Sequence, residues 1–292
     1  MCKLFIATGS LSQSQVLAIL KATNSTFAKS QPDGFGFVAY GDTNTVARGR
    51  YLSPSAYPGF GFEVPKFCSS PSSEEGSLPK VTKALVIHGR TSTNRVMTEN
   101  VHPFKYGSLY LAHNGVLRWT GNGPCPTAAN DCDSEQFLNW FFNNKEDWSK
   151  TDDNWSGYGV FGVVNTTTRK LTVAKCGSGN LHWAGSKGLH LFSTQGGDLQ
   201  HIAAKCKLRV SQPLTVKPKT LIQFDLRKGS LKLSDWVGFG SGTRDAMWDR
   251  SMGTTSPLSR VRFIPSNKSK FDGVTVPRDA DMFPDWKPNS LD

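Results

Sequence analysis

Met1-Cys2-Lys3-Leu4-Phe5-Ile6-Ala7-Thr8 opens the chain. The apolar run from Leu4 predicts a short buried strand over residues 2–8, and polar residues follow it at once. Taken alone, the cysteine at position 2 reads first as a small buried residue. It also has a chemical potential that no other cysteine in the chain has. A small second residue allows the initiator methionine to be trimmed, which leaves a thiol and a free α-amine on one residue. An α-amine titrates near ~7.7–8.0, so it can take up the thiol proton close to neutrality. A thiol beside a built-in base is an activated nucleophile that needs no histidine.

Outward from this strand, helical spacing runs from Ser12 to Ser30, with Val16, Leu17, Ile19 and Leu20 apolar, and stops at Gln31-Pro32-Asp33-Gly34. Phe35–Tyr40 alternates as a strand does. Residues 52–80 are rich in Ser, Pro and Gly without a period and read as a long loop. Strands are expected at Ala84–His88 and Ser108–His113, then a helix at Ser134–Asn143 with Asp133 as its N-cap. Short strands follow at Gly159–Asn165, Lys170–Lys175, Gly188–Ser193 and Thr220–Leu226. Helices and antiparallel strands coexist without a βαβ alternation, which predicts an α+β architecture of stacked layers. From about residue 229 the chain carries Gly238-Phe239-Gly240-Ser241-Gly242, five prolines and isolated tryptophans. The expected organisation is one domain over residues 1–228 and an extended arm over 229–292 with no core of its own.

Composition narrows the class. The 292 residues are 37% hydrophobic and 20% charged, with no run of the roughly 18 apolar residues a membrane helix needs. The N-terminal stretch is not a secretory leader, so a cytoplasmic setting is expected. The cysteines (Cys2, Cys68, Cys125, Cys132, Cys176, Cys206) contain no Cys-x-x-Cys pair and are expected to be reduced. A net charge of +11 invites a nucleic-acid reading, but the basic residues form no block and no nucleic-acid motif is present. A solvated basic surface is preferred, with an anionic partner as the lesser reading.

The remaining chemistry-bearing stretches are Ile87-His88-Gly89-Arg90-Thr91-Ser92-Thr93, Glu99-Asn100-Val101-His102-Pro103-Phe104, Leu111-Ala112-His113-Asn114-Gly115-Val116-Leu117 and Asp131-Cys132-Asp133-Ser134-Glu135. Met-Cys at the start, Arg-x-x-Thr at a strand end, His-Asn-Gly and Asp-Ser-Glu, in this order, resemble the glutaminase domain of class II glutamine amidotransferases. Asp33-Gly34-Phe35-Gly36-Phe37-Val38-Ala39-Tyr40 and the Glu99–Phe104 stretch look most like its small stand-alone members, including the γ-glutamyl hydrolase of ergothioneine synthesis. Gly177-Ser178-Gly179 and Leu189–Thr194 fit the later strands of that domain. The resemblance covers about residues 1–228 and implies a four-layer αββα sandwich of the N-terminal nucleophile hydrolase type.

It also implies roles. Cys2 would attack the amide, the Asn114 side chain and Gly115 N–H would receive the oxyanion, and His113 beside them would help bind the substrate. Arg90 and Thr93 would hold the substrate carboxylate, for which a planar guanidinium is suited. Asp133 would take the ammonium. No metal and no cofactor are implied. Plainer readings stand beside these. Asp133 with Gln136 could form a capping box. Asn114-Gly115 is an ordinary hairpin dipeptide. His88, His102 and His113 invite a metal reading, though without the spacing of a helical pair. Arg90 on an apolar strand needs an anion in any case, from substrate or from an acid such as Glu99.

Three functions therefore compete. The first is release of glutamate and ammonia from glutamine through a Cys2 thioester, with the ammonia passed to a separate acceptor or synthase subunit. The second is hydrolysis of a larger γ-glutamyl amide, motivated by the loop at 52–80 and the basic surface. The third is a catalytically idle fold retained for assembly or binding. After residue 228 nothing of synthase size follows, and no Walker-type loop occurs.

Overall fold

The computed structural model describes residues 2–28, 30–52, 73–92, 96–128, 132–186 and 188–235. Two antiparallel sheets dominate it. The first comprises β1 (Lys3–Ser12), β2 (Gly34–Gly41), β3 (Val46–Tyr51), β4 (Ser73–Glu75), β5 (Val81–Arg90), β10 (His182–Ser186), β11 (Leu189–Ser193) and β12 (Leu214–Thr215). Its order is β12-β10-β11-β1-β5-β2-β3-β4, so the N-terminal strand lies near the middle. The second comprises β6 (Phe104–Tyr106), β7 (Leu109–Trp119), β8 (Trp155–Asn165), β9 (Lys170–Cys176), β13 (Thr220–Asp225) and β14 (Ser230–Asp235), in the order β14-β13-β9-β8-β7-β6. Helices α1 (Gln13–Phe27), α2 (Asp133–Asn143) and α3 (Gly196–Lys205) cover the outer faces. A single helical turn, Thr151–Asn154, precedes β8.

Strand alternation sorts the side chains into layers. Phe5, Ala7, Leu85 and Ile87 pack with Val16, Ile19 and Leu20 of α1 and with Leu199 and Ile202 of α3. Leu4, Ile6, Ala84 and Val86 point the other way, onto Tyr110, Ala112, Val160 and Val173 of the second sheet. Leu109, Leu111, Phe161 and Ala174 then face Phe137, Leu138 and Phe141 of α2. The result is helix on sheet on sheet on helix, the expected αββα sandwich. Helix α1 starts at Ser12, whose hydroxyl accepts from the Gln15 N–H while Gln15 Oε1 accepts from the Ser12 N–H.

Several local expectations fail. Asn114-Gly115 is no hairpin turn, because β7 runs on to Trp119 with Asn114 opposite Val160 and Gly115 opposite Gly159. Asp133 is not the N-cap of α2; it is the helix's first residue, behind Cys132, and Gln136 accepts from the Cys125 thiol rather than closing a capping box. The loop expected over 52–80 contains β4, and Leu78 is buried in the core beside α1; residues 53–72 lie outside the described residues. The domain end drawn at 228 falls in the turn between β13 and β14, and the sheet continues to Asp235. The rest of the arm lies outside the described residues.

Candidate active site

Cys2 immediately precedes β1 and continues the Leu4/Ile6 face, which points between the sheets. Pairing of β1 with β5 sets Lys3 opposite Gly89 and so brings Cys2 to the end of β5. There its Sγ accepts from the Thr91 N–H at 3.4 Å and approaches the Thr91 carbonyl at 3.5 Å. Burial pushes the Cys2 thiol up, the Thr91 N–H and the charge of Arg90 pull it down, and Asp133 pushes it up. Both charges thus act on the sulfur, Arg90 from the end of β5 and Asp133 from the start of α2. Cys132, the neighbouring thiol, is driven up to about 11 by burial and by Asp133, so it is not a rival nucleophile near neutrality.

The segment that receives Cys2 is itself pinned. Asp33 donates its N–H to the Arg90 carbonyl, its carboxylate accepts from the Ser92 N–H at 2.7 Å, and Thr91 Oγ1 donates to the Ser30 carbonyl. Arg90 is buried and shares with His88 the inter-sheet face of β5. At the other end of the anchoring, Lys3 Nζ lies 2.8 Å from Asp198 in the first turn of α3 and 5.6 Å from the Phe27 ring centroid. Leu4 N–H donates to Thr194 Oγ1. Lys3 and Leu4, which follow the nucleophile, are therefore fixed by α1, by α3 and by Thr194 at the end of β11.

On the facing sheet, Asn114 is buried and lies on the same side of β7 as Ala112, toward the first sheet. His113 points the opposite way. Its ring stacks on Phe161 at 4.5 Å, and its Nδ1 is 2.9 Å from Ser134 Oγ. The expectation that His113 binds substrate is corrected on this geometry: alternation along β7 turns it toward α2 when Asn114 faces Cys2. Ser134 Oγ donates to Asp133 Oδ1 at 3.1 Å, so His113, Ser134 and Asp133 form one chain of contacts, and the His113 ring also meets the Tyr158 backbone. Burial holds the His113 imidazole below its ordinary range against the opposing pull of Asp133.

The open edge of β7 supplies a donor. His113 N–H donates to His102 Nδ1 at 3.1 Å, and Leu117 N–H donates to Asp133 Oδ2 at 2.7 Å. Alternate residues of an antiparallel strand send their N–H groups to the same edge. Gly115, midway between these two, therefore directs its N–H away from β8 and toward the same open side. A side chain is impossible there: a Cβ on Gly115 would lie 2.0 Å from the Tyr158 carbonyl oxygen and 2.6 Å from His113 Nε2. Thus the charges of Arg90 and Asp133 act at Cys2, Asn114 lies on the inter-sheet face of β7, Gly115 lies on the strand edge that Asp133 caps two residues on, His113 faces α2, and Thr93 lies outside the described residues.

Thr91 was missed from sequence because it acts through backbone groups. Ser134 and Asp33 were missed because their hydroxyl and carboxylate serve chain segments far away in sequence; Asp33 next to Gly34 reads simply as a turn. His88 and His102 stack at 4.1 Å, and among the described residues no His/Cys/Asp/Glu group is arranged to hold a metal ion. No helix among the described residues is long and apolar enough to cross a membrane.

No protein-family model matches the sequence, and no curated protein matches it significantly. Solved structures do. One is the glutamine phosphoribosylpyrophosphate amidotransferase from B. subtilis complexed with ADP and GMP, with a TM-score of 0.49 and 15% identity over 80% of this chain and 49% of that one. Another is described as the allosteric regulatory enzyme of purine biosynthesis, with a TM-score of 0.51 and 15% identity over the same shares. The chain spans about half the length of both. At this identity the second likeness bears on the fold alone, and it agrees with the two-sheet architecture above: the chain has the N-terminal nucleophile hydrolase fold.

Proposed function

We propose that this chain hydrolyses the γ-amide of glutamine through a γ-glutamyl thioester on Cys2, once Met1 has been removed. The observation that carries the proposal is the setting of Cys2: its sulfur rests on the Thr91 N–H, under the opposed charges of Arg90 and Asp133. Asn114, on the inter-sheet face of β7, and the Gly115 N–H at that strand's open edge would complete the site. Arg90 and Asp133 suit the two charged groups on the glutamine α-carbon, with Thr93 beside the carboxylate.

The freed α-amine takes the Cys2 thiol proton, and the sulfur attacks the amide carbon. Negative charge moves to the carbonyl oxygen, where the Asn114 amide and Gly115 N–H donate to it; one such donor is worth roughly 3 kcal/mol. The C–N bond breaks as the α-ammonium returns its proton to the departing nitrogen, which leaves as ammonia. Water then attacks the thioester carbon, the sulfur leaves with a proton, and glutamate is released. A separate subunit or small-molecule acceptor would consume the ammonia.

Competition between glutamine and γ-glutamyl amides of larger amines tests this. Glutamate release from glutamine, at an efficiency equal to or above that from the larger amides, is expected. Preference for a larger amide by tenfold or more would replace it with the stand-alone amide hydrolase, and no turnover of any amide would leave only the idle fold.

A further inference from the structure

Of the three buried histidines, His102 has no part in the mechanism above. It follows the short turn Thr98–Asn100 and precedes β6. Arg50 of β3 holds that turn by donating to the Glu99 and Val101 carbonyls. The backbone of His102 lies directly against β2, where a Cβ on Gly36 would fall 2.0 Å from the His102 oxygen. Its ring is wedged between His88 at 4.1 Å and Phe104 at 4.6 Å. Burial holds the imidazole well below its ordinary range, with the positive charges nearby adding to the effect, so it stays neutral near pH 7. Its Nδ1 accepts from the His113 N–H and is therefore unprotonated, leaving the proton on Nε2.

This contact falls where the β6 ladder ends. β6 pairs with β7 from Leu109 to Leu111, and the next residue of β7 whose N–H faces that edge is His113. Without an acceptor there, the edge would be satisfied by water or by a shifted neighbour, and the strand could twist away from its position. Asp133 performs the matching service at Leu117. The two caps are joined behind the strand, since His113 Nδ1 lies 2.9 Å from Ser134 Oγ and Ser134 donates to Asp133. Between them sits the Gly115 N–H.

We infer that His102 is a positioning residue for the oxyanion donor: by capping the His113 N–H it fixes the edge of β7 so that the Gly115 N–H is held open toward the substrate. The inference rests on the proposed amide hydrolysis for its catalytic consequence, although the cap itself can be observed without it. The cap's partner is the His113 N–H and not Cys2, so its loss is expected to weaken the transition state more than the bound substrate.

Amide hydrogen exchange on the wild-type protein is the first test. The His113 and Leu117 amides are expected to be protected and the Gly115 amide to exchange at least about tenfold faster, because only the first two are capped. Equal protection of all three overturns the inference. The second test is kinetic. In His102→Leu, kcat for glutamine is expected to fall about 10–100-fold with KM within about threefold, part of the loss seen when such a donor is removed outright. His102→Asn, whose Oδ1 can stand in for Nδ1, should recover most of kcat and the protection of His113. An unchanged kcat in a folded His102→Leu protein, or equal losses in the Leu and Asn variants, also overturns it. Should the wild type turn over no γ-glutamyl amide, the proposed function fails while the exchange pattern still decides whether the cap exists.

Discussion

The thiol of Cys2 is part-buried beside one cation and one anion, and burial is the largest influence on it and holds it above its ordinary range. Under the proposed mechanism, the oxygen generated on attack would be served by Asn114 on the inter-sheet face of β7 and by the Gly115 N–H at its open edge. Asn114 would supply the side-chain half of that service. Asn114→Ala is expected to lower kcat about 10²–10³-fold with little change in KM, because the donor matters mainly once the oxygen is charged. Steady-state kinetics with glutamine checks this, and a change confined to KM would instead make Asn114 a ground-state binding residue. From sequence, Asn114 and Gly115 were recognisable only by their resemblance to a known pattern. Their local chemistry pointed to a turn, and it is the eleven-residue pairing with β8 that keeps them in a strand.

At the level of elements, β9 carries an anomaly. Leu171 and Val173 face the first sheet, and alternation puts Lys175 there as well, almost fully buried. Its ammonium donates to the Val216 carbonyl, and burial lowers it to about 8. The unfolded lysine titrates near ~10.4, so below pH 8 both states are charged and the native state bears the desolvation cost. Stability then rises as pH climbs from about 8 toward ~10.4, where the native lysine is already neutral and the unfolded one is not. Lys175→Met is expected to stabilise the protein by on the order of 2 kcal/mol at pH 7, with the gain shrinking over that alkaline window. Urea unfolding of both proteins at pH 7 and pH 10 measures it.

The same level explains what sequence showed and what it hid. The helical stripes of α1 and α2 and the apolar centres of β1, β5, β8, β9 and β13 were legible, because each buries a face with its own period. β3 was hidden by Arg48 and Arg50, whose charges mask an inward-facing strand. α3 was hidden by the glycines at its start and by the absence of a side-chain cap at Gln195. The approach of Arg90 and Asp133 to Cys2 depends on how the sheets and α2 stack, which no local signal encodes.

For the whole molecule, neutral histidines in the interior tie stability to pH. His88 is fully buried, and burial, with His113 and Arg90 adding, lowers it to about 3. His102 and His113 are lowered as well. An unfolded histidine titrates near ~6.5, so between that value and 3 the unfolded chain binds protons that the native protein refuses. Their contribution is present above pH 6.5 and is lost progressively as pH falls. His88 alone should cost about 2 kcal/mol between pH 6.5 and 5, and the others act in the same direction. Chemical unfolding at the two pH values checks the sign; a protein equally stable at both would contradict a neutral histidine cluster.

The same whole molecule serves one residue, since two helices, two sheets and the Asp33 turn all converge on the position of Cys2. Intact-mass analysis after treatment with 6-diazo-5-oxo-norleucine, a reactive glutamine analogue, tests that most directly. The expected result is a chain lacking Met1 that gains one label, located on Cys2 and prevented by excess glutamine. A chain that keeps Met1 and stays unlabelled, or one labelled at Cys125 or Cys132 instead, would contradict Cys2 as the nucleophile.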